Sequence, residues 1–131
     1  MTPSWPELAE VVARLDAMAL RLPGVAAEDS HGHRSYLLKR KRIAWLLVDH
    51  HGDGRLALWV KAPPGEQPAL MAADPDRYFR PPYLGQNGWV GARLDDASRP
   101  DWPQVEELVQ TAWRMSAGTR AVAAFDAGRD G

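Results

Sequence analysis

Cysteine is absent from the 131-residue sequence, and so is any long apolar run. Without cysteine there are no disulfides, no thiolate nucleophile and no cysteine-ligated zinc or iron–sulfur site, as expected in a reducing compartment. The longest apolar run, residues 43–48, is much shorter than the roughly 20 residues that span a bilayer. The first residues lack a basic stretch followed by an apolar one, so we expect no signal peptide. We predict a cytoplasmic protein with no membrane contact.

The sequence also has no large excess of one charge. Its 16 basic and 17 acidic residues give a net charge of −1. The charges are nevertheless unevenly distributed. Residues 34–61 carry seven basic residues against two acidic ones, whereas residues 1–33 carry two basic against five acidic. A local excess of this kind favours contact with a polyanion, although a fully basic domain would indicate it more strongly.

Length and composition predict one globular domain over residues 1–131. The apolar share of 45% and the charged share of 25% are ordinary for such a domain. We expect the folded core to cover about residues 5–124 and a frayed tail to follow at 125–131.

Hydrophobic periodicity predicts the helices. Apolar residues recur every three or four positions between residues 8 and 22, as in an amphipathic helix, and a proline and a glycine then end it. Ser4 and Glu7 have the spacing of a capping box at its start. Residues 66–73 predict a short second helix, and Asp101 predicts the N-cap of a long last helix.

The segments between the helices predict a sheet. Residues 35–39, 43–48 and 56–61 are short strand candidates joined by turns, in the order of a meander. Residues 78–83 are expected to be extended because each proline restricts its predecessor, and 89–94 predict a further strand. The order α-β-β-β-α-β(-β)-α predicts an α+β fold, with an antiparallel sheet of four to five strands and helices packed on one side.

The sequence contains no motif typical of an enzyme. The serines lack a nucleophile-elbow context, and the glycine-rich stretch 85–91 leads into a predicted strand, whereas a phosphate cradle leads into a helix. The histidines His31, His33, His50 and His51 allow a zinc or nickel site but specify no third ligand or HExxH-type spacing. We therefore expect a non-enzymatic protein with no catalytic residues, no cofactor and no metal site.

Four consecutive cations occupy the predicted turn at residues 39–42. They have no acidic neighbour in sequence and repel one another, and a phosphate backbone would relieve this repulsion with release of counterions. A solvated turn is the alternative interpretation. The predicted nucleic-acid-binding residues are the basic residues of the segment 34–61, namely Arg34, Lys39, Arg40, Lys41, Arg42, Arg55 and Lys61.

Six tryptophans are many for a chain of this length. Buried tryptophans fill cores, whereas exposed ones stack bases or line ligand pockets, and we favour the core. The alternative function is a protein-interaction or small-ligand-binding module with an aromatic surface around Tyr83, Trp89 and Trp59. A protein partner or a homodimer would then be expected.

Several short motifs share a family resemblance. They are LPGV at 22–25, IAWL at 43–46, LAL at 56–58, PPYLG at 81–85, GWVG at 88–91, RLD at 93–95 and DW at 101–102. Together they resemble the MmcQ/YjbR family of small, uncharacterised bacterial proteins, over about residues 5–124. The stretch from PPYLG to RLD is the most specific part.

The resemblance implies a fold and a function. The fold would be α+β with an antiparallel sheet, similar to type III secretion chaperones. Family members are described as DNA-binding proteins with a double-wing motif, in which the wings are β-hairpins. The hairpin tips at 39–42 and 50–54 would be the wings here. The family offers no catalytic residues that could be assigned to this chain.

Overall fold

The structure is a computed structural model that describes residues 4–130, with only the backbone described for 129 and 130. Within these residues it has four α-helices and six β-strands. In chain order they are α1 (Leu8–Ala19), β1 (Ala26–Ser30), β2 (His33–Leu38), β3 (Lys41–Val48), β4 (Leu56–Val60), α2 (Glu66–Ala73), β5 (Tyr78–Phe79), β6 (Val90–Arg93), α3 (Trp102–Ala117) and α4 (Thr119–Asp130).

The strands form one antiparallel sheet in the order β1-β2-β3-β4-β6-β5. The predicted α+β fold with an antiparallel sheet is confirmed, but the sheet has six strands where four to five were expected. The missed strand is β1 at one edge, whose sequence AAEDS is exposed at four of its five positions. Such a segment has no apolar alternation, and alternation is the signal by which a strand is found in a sequence.

The main core lies between the sheet and the helices. Leu46 and Leu58 of the central strands belong to one buried cluster with Leu15 of α1 and Leu108 of α3. Trp113 of α3 is fully buried in the same cluster, and its indole N–H donates to the Pro23 carbonyl at 2.9 Å. The partly buried apolar residues of α2 and α4 also pack against this cluster, which confirms that the helices pack on one side.

The second face of the sheet has a smaller apolar cluster. Its buried members are Leu47, Ala57, Trp59, Phe79 and Trp89. Among residues 4–130, no α-helix contributes an apolar side chain to it. The ring of Phe79 lies against Gly91, where a Cβ atom would overlap the ring, so this position requires glycine.

The ends of the two long helices show one wrong prediction and one confirmed prediction. The predicted capping box is wrong, because α1 begins at Leu8 and its N-cap Glu7 makes no side-chain capping bond. The Glu7 carboxylate instead accepts the backbone N–H of Asp96 at 2.8 Å. At α3, Asp101 caps as predicted and accepts the N–H of Gln104 at 3.1 Å.

A frayed tail was predicted for 125–131. Helix α4 continues to Asp130, so residues 125–130 are helical, and residue 131 lies outside the described residues. Phe125 packs against Trp113 with ring centroids 5.1 Å apart, and Asp126 forms an ion pair with Arg114 at 2.6 Å. These contacts bind α4 to α3. Within the described part of the chain, none of the helices has the length and apolarity needed to cross a membrane.

Candidate anion-binding site

The turn between β2 and β3 consists of two cationic residues in a strained backbone. Leu38 pairs with Lys41, so that Lys39 and Arg40 alone make the turn, with φ angles of 53° and 68°. Two-residue hairpin turns of this hand favour Asn-Gly, because a side chain at positive φ costs of order 1 kcal/mol. The preceding hairpin places Gly32 in its turn, at φ 79°. The β2–β3 turn therefore holds two cations where folding alone favours other residues.

A concave pocket lies beside this turn. Its volume is about 350 Å³. It is lined by Leu38, Lys39, Lys41, Arg42, Lys61, Trp89 and Ser116, and we call it the basic pocket. Lys61 reaches it because its backbone N–H bonds to the Ile43 carbonyl at 3.0 Å, at the start of β3. Four cations from two hairpins thus share one concavity with the last turn of α3.

All the charged side chains that line the basic pocket are positive. Lys39 donates to the Ala117 carbonyl at 3.3 Å, and Lys61 donates to the Ser116 hydroxyl at 3.2 Å. Both acceptors lie at the C-terminus of α3, where the helix dipole favours positive charge. No carboxylate lines the pocket, and within residues 4–130 no ion pair involves any of its four cations. Four full positive charges exceed the partial negative charge of the helix end, so the pocket has a net positive charge.

Arg42 lies at the border between the basic pocket and the second face of the sheet. Its guanidinium carbon is 3.7 Å from the centroid of the Trp45 ring, and its Nε donates to the Ser35 hydroxyl at 2.9 Å. A separation this short leaves room only for near-parallel stacking. Burial lowers the pKa of Arg42 below its usual value, but arginine remains charged in proteins. We call this pair the Arg42–Trp45 stack.

Arg34 was predicted to join the basic site, but the structure places it elsewhere. It lies toward α1, where it bonds both carboxylate oxygens of Asp16 at 2.9 Å and Asp29 at 2.8 Å. The bonds to Asp16 and Asp29 raise the pKa of Arg34. Tyr36 donates its hydroxyl to Asp16 at 2.7 Å, and burial together with this bond raises its pKa. Arg34 thus fastens β2 to α1.

The other two predicted cations also lie outside the pocket. Arg40 is exposed at the turn. Arg55 precedes β4 at the opposite end of the sheet, where its guanidinium carbon is 4.1 Å from the centroid of Phe79. The pocket therefore contains Lys39, Lys41, Arg42 and Lys61 of the seven predicted residues.

The two hairpin tips expected to act as wings lie at opposite ends of the sheet. The tip at 39–42 lies at the start of β3, and the tip at 50–54 follows the end of this strand. Strand β3 has eight residues, so the tips are separated by about 25 Å of extended chain. These two tips do not form a pair of wings on one side.

The aromatic surface expected around Tyr83, Trp89 and Trp59 is not formed. Trp59 is 1% exposed and Trp89 is 9% exposed, because both fill the second apolar cluster. Tyr83 alone is exposed, at 74%. The interpretation of these tryptophans as core residues is confirmed, and an edge of Trp89 lines the basic pocket.

Histidines gather at the end of the sheet opposite the basic pocket. The ring centroid of His50 is 5.7 Å from that of His33 and 5.1 Å from that of Trp59. His33 Nδ1 accepts the backbone N–H of Val48 at 3.0 Å. Burial, followed by the neighbouring imidazoles, lowers the pKa of His33 and of His50. Within residues 4–130, no group of three or more His, Cys, Asp or Glu side chains is arranged to hold a metal ion.

A comparison with known families identifies the chain. The sequence model described as YjbR matches residues 20–115. The chain belongs to the YjbR family. No curated protein sequence matches it. The crystal structure of the Deinococcus radiodurans protein DR2400, which has a DUF419 domain, is similar with a TM-score of 0.67 and 19% identity, over 84% of this chain and 83% of that one. At this identity the likeness shows a shared fold.

The YjbR match includes the four cations of the basic pocket and ends one residue before Ser116. Sequence reasoning missed Ser116 because it is 55 residues from Lys61, to which it bonds. A lone serine in the last turn of a helix gives no sequence signal. Only the packing of α3 on the sheet, near the end of β4, brings Ser116 to the pocket.

Proposed function

We propose that this YjbR-family protein is a non-catalytic DNA-binding protein that contacts phosphates through the basic pocket. One observation supports the proposal: Lys39, Lys41, Arg42 and Lys61 line a single concavity that contains no carboxylate. The exposed Arg40 at the adjacent turn extends the positive surface beyond the pocket.

The physical reason is the mutual repulsion of unpaired cations. Like charges a few ångströms apart repel by about 1 kcal/mol in water and by more where solvent is partly excluded. A phosphate that enters the pocket replaces this repulsion with attraction and releases counterions from the DNA. Contacts of this kind carry little sequence information, so we expect weak sequence preference.

The test is fluorescence anisotropy of labelled DNA of mixed sequence, as duplex and as single strand, at about 50 and 200 mM salt. We expect saturable binding at low salt and steep weakening at high salt. The triple variant Lys39→Ala, Lys41→Ala, Lys61→Ala should lower the logarithmic salt slope by about 0.7–0.9, because the pocket takes one phosphate and each lost phosphate contact removes about that much.

A matched control removes three exposed cations outside the pocket: Arg14→Ala, Arg21→Ala, Arg120→Ala. It has the same net charge as the pocket variant and should keep most of the wild-type slope. Absence of binding by folded wild-type protein at both salt concentrations would refute the DNA proposal. Equal slopes for the pocket variant and the wild type would refute the assignment of the pocket.

A further inference from the structure

We infer that the basic pocket and the Arg42–Trp45 stack together take an unpaired nucleotide of single-stranded nucleic acid. The phosphate occupies the pocket, and the base stacks on the outer face of the Arg42 guanidinium. This inference rests on the proposed function and names the form of nucleic acid that the site prefers.

The Arg42 guanidinium is held in one orientation. Its inner face lies on the Trp45 ring at 3.7 Å, and its Nε is bonded to Ser35 at 2.9 Å, so both position and tilt are restricted. Arg42 as a whole is exposed, whereas Ser35 is buried. Guanidinium planes and aromatic rings are the surfaces on which proteins stack unpaired bases.

Trp45 is itself fixed from the sides. Its ring meets the edges of Trp59 and His33, with centroids 5.6 Å and 6.2 Å away. Trp59 is fully buried in the second apolar cluster. A base that stacks on Arg42 therefore adds a third layer to a rigid pair, and little side-chain entropy is lost on binding.

The position of the stack relative to the pocket fits one nucleotide. Arg42 belongs to both features, because it lines the basic pocket and forms the upper layer of the stack. Lys41 precedes it and Lys61 follows the end of the neighbouring strand β4, and all three line the same pocket, so cations lie beside a base placed on Arg42. In a duplex the faces of the bases are covered by their neighbours, and only an unpaired or flipped base can present one.

The experiment compares three DNA ligands of equal length at low salt: a 12-nucleotide oligothymidylate, an abasic strand with the same phosphates, and a 12-base-pair duplex. We expect the oligothymidylate to bind at least about fivefold more tightly than either of the others, since one stacked base contributes at least that much. The abasic strand measures the phosphate contribution alone.

The deciding variant is Arg42→Lys, which keeps the charge but removes the planar stack and the bond to Ser35. It should reduce the preference for oligothymidylate over the abasic strand to below about twofold, with an unchanged salt slope. Arg40→Lys is the matched control, because Arg40 is exposed and outside the pocket, and it should keep the full preference. Ser35→Ala retains every charge and removes only the bond to Arg42. It should reduce the preference for oligothymidylate over the abasic strand by a smaller factor than Arg42→Lys does. Thermal melting checks that each variant is folded.

Two results would overturn the inference while leaving the proposed function intact. One is equal, salt-dependent affinity of the wild type for all three ligands, which would mean that phosphates alone are recognised. The other is an Arg42→Lys variant that keeps the wild-type preference. Absence of binding to any of the three DNAs would instead remove the proposed function, and this inference with it.

Discussion

The cations at the two ends of the β2–β3 hairpin form two groups, one arginine at one end and three residues at the other, and the surroundings of the two groups differ. Arg34, near one end of β2, is bonded to Asp16 and Asp29. Lys39, Lys41 and Arg42, at the other end, have no carboxylate partner within residues 4–130. The first group stabilises the fold, and the second leaves its charge available to a ligand.

The difference shows that the count of charges along a segment does not distinguish these roles. Arg34 and its main partner Asp16 are 18 residues apart in sequence, so the pairing depends on how α1 packs against β2. A cation with a carboxylate partner is neutralised whatever its neighbours in sequence are. The pattern of acidic residues elsewhere in the chain therefore determines which cations have a carboxylate partner.

The largest expected effect is on the free energy of unfolding, and it comes from breaking the ion pair between Arg34 and Asp16. Asp16→Ala leaves the Arg34 guanidinium and the buried Tyr36 hydroxyl without their shared acceptor. We expect the free energy of unfolding to fall by about 3 kcal/mol, because bonds to charged groups contribute about 1.5–3 kcal/mol each and the pair is only partly buried. Urea denaturation measures this loss.

The comparison also predicts what Asp16→Ala leaves unchanged. DNA affinity of the folded variant should match the wild type, since Arg34 lies outside the basic pocket. Glu10→Ala is the control, because it breaks an exposed ion pair with Arg14 and should cost less than about 0.5 kcal/mol. A gain in DNA affinity on releasing Arg34 would show that the two groups are not separate.

A smaller effect is expected at the strained turn, where stability and DNA affinity should change in opposite directions. Replacing Lys39 with Asn and Arg40 with Gly installs the residues that this turn type favours. We expect the free energy of unfolding to rise by about 1 kcal/mol while DNA affinity falls, because strain and charge are removed together. Parallel denaturation and anisotropy titrations measure both. A variant that is less stable than the wild type would contradict the assignment of strain.

The smallest effect concerns pH at the histidine end. The folded state lowers the pKa of His33, so the unfolded chain takes up a proton first as pH falls below about 6.5. Its contribution to stability is therefore complete above pH 6.5 and is lost as pH falls through the lowered pKa. His33→Gln should flatten the decline in the free energy of unfolding below about pH 6.5, whereas His31→Asn, at an exposed turn, should flatten it much less, because His31 contributes only a minor part of the lowered pKa of His33. An equal decline in both variants would contradict this origin.

The parts of the fold that were predictable have strong local patterns. Residues 43–48 of β3 and all of β4 are continuously apolar, and the positions of both strands were predicted to within two residues. Strand β1 was missed because an exposed edge strand needs only backbone pairing with β2, which any polar sequence can supply. The start of α1 was misplaced because Glu7 is engaged by Asp96, a contact between distant parts of the chain.

The candidate site was predictable only in part. The cluster at 39–42 and Lys61 were identified from charge, and the structure brings four of these five residues to the pocket. The separation of Arg34 and Arg55 from them, and the addition of Ser116, follow from tertiary packing. The Arg42–Trp45 stack depends on the irregular register between β2 and β3 near Tyr36 and Leu37, which shifts Arg42 relative to its partner strand.

The acidic edge of the sheet has a consequence for self-association. Strand β1 ends the sheet, and its exposed Glu28 and Asp29 lie along that border. Two copies that joined border to border, continuing the hydrogen-bonded ladder, would bring acidic borders together, in which Glu28 has no ion-pair partner among residues 4–130 whereas Asp29 is paired with Arg34. We therefore expect the border strand that was hardest to recognise in the sequence to disfavour pairing of β1 with the β1 strand of a second copy.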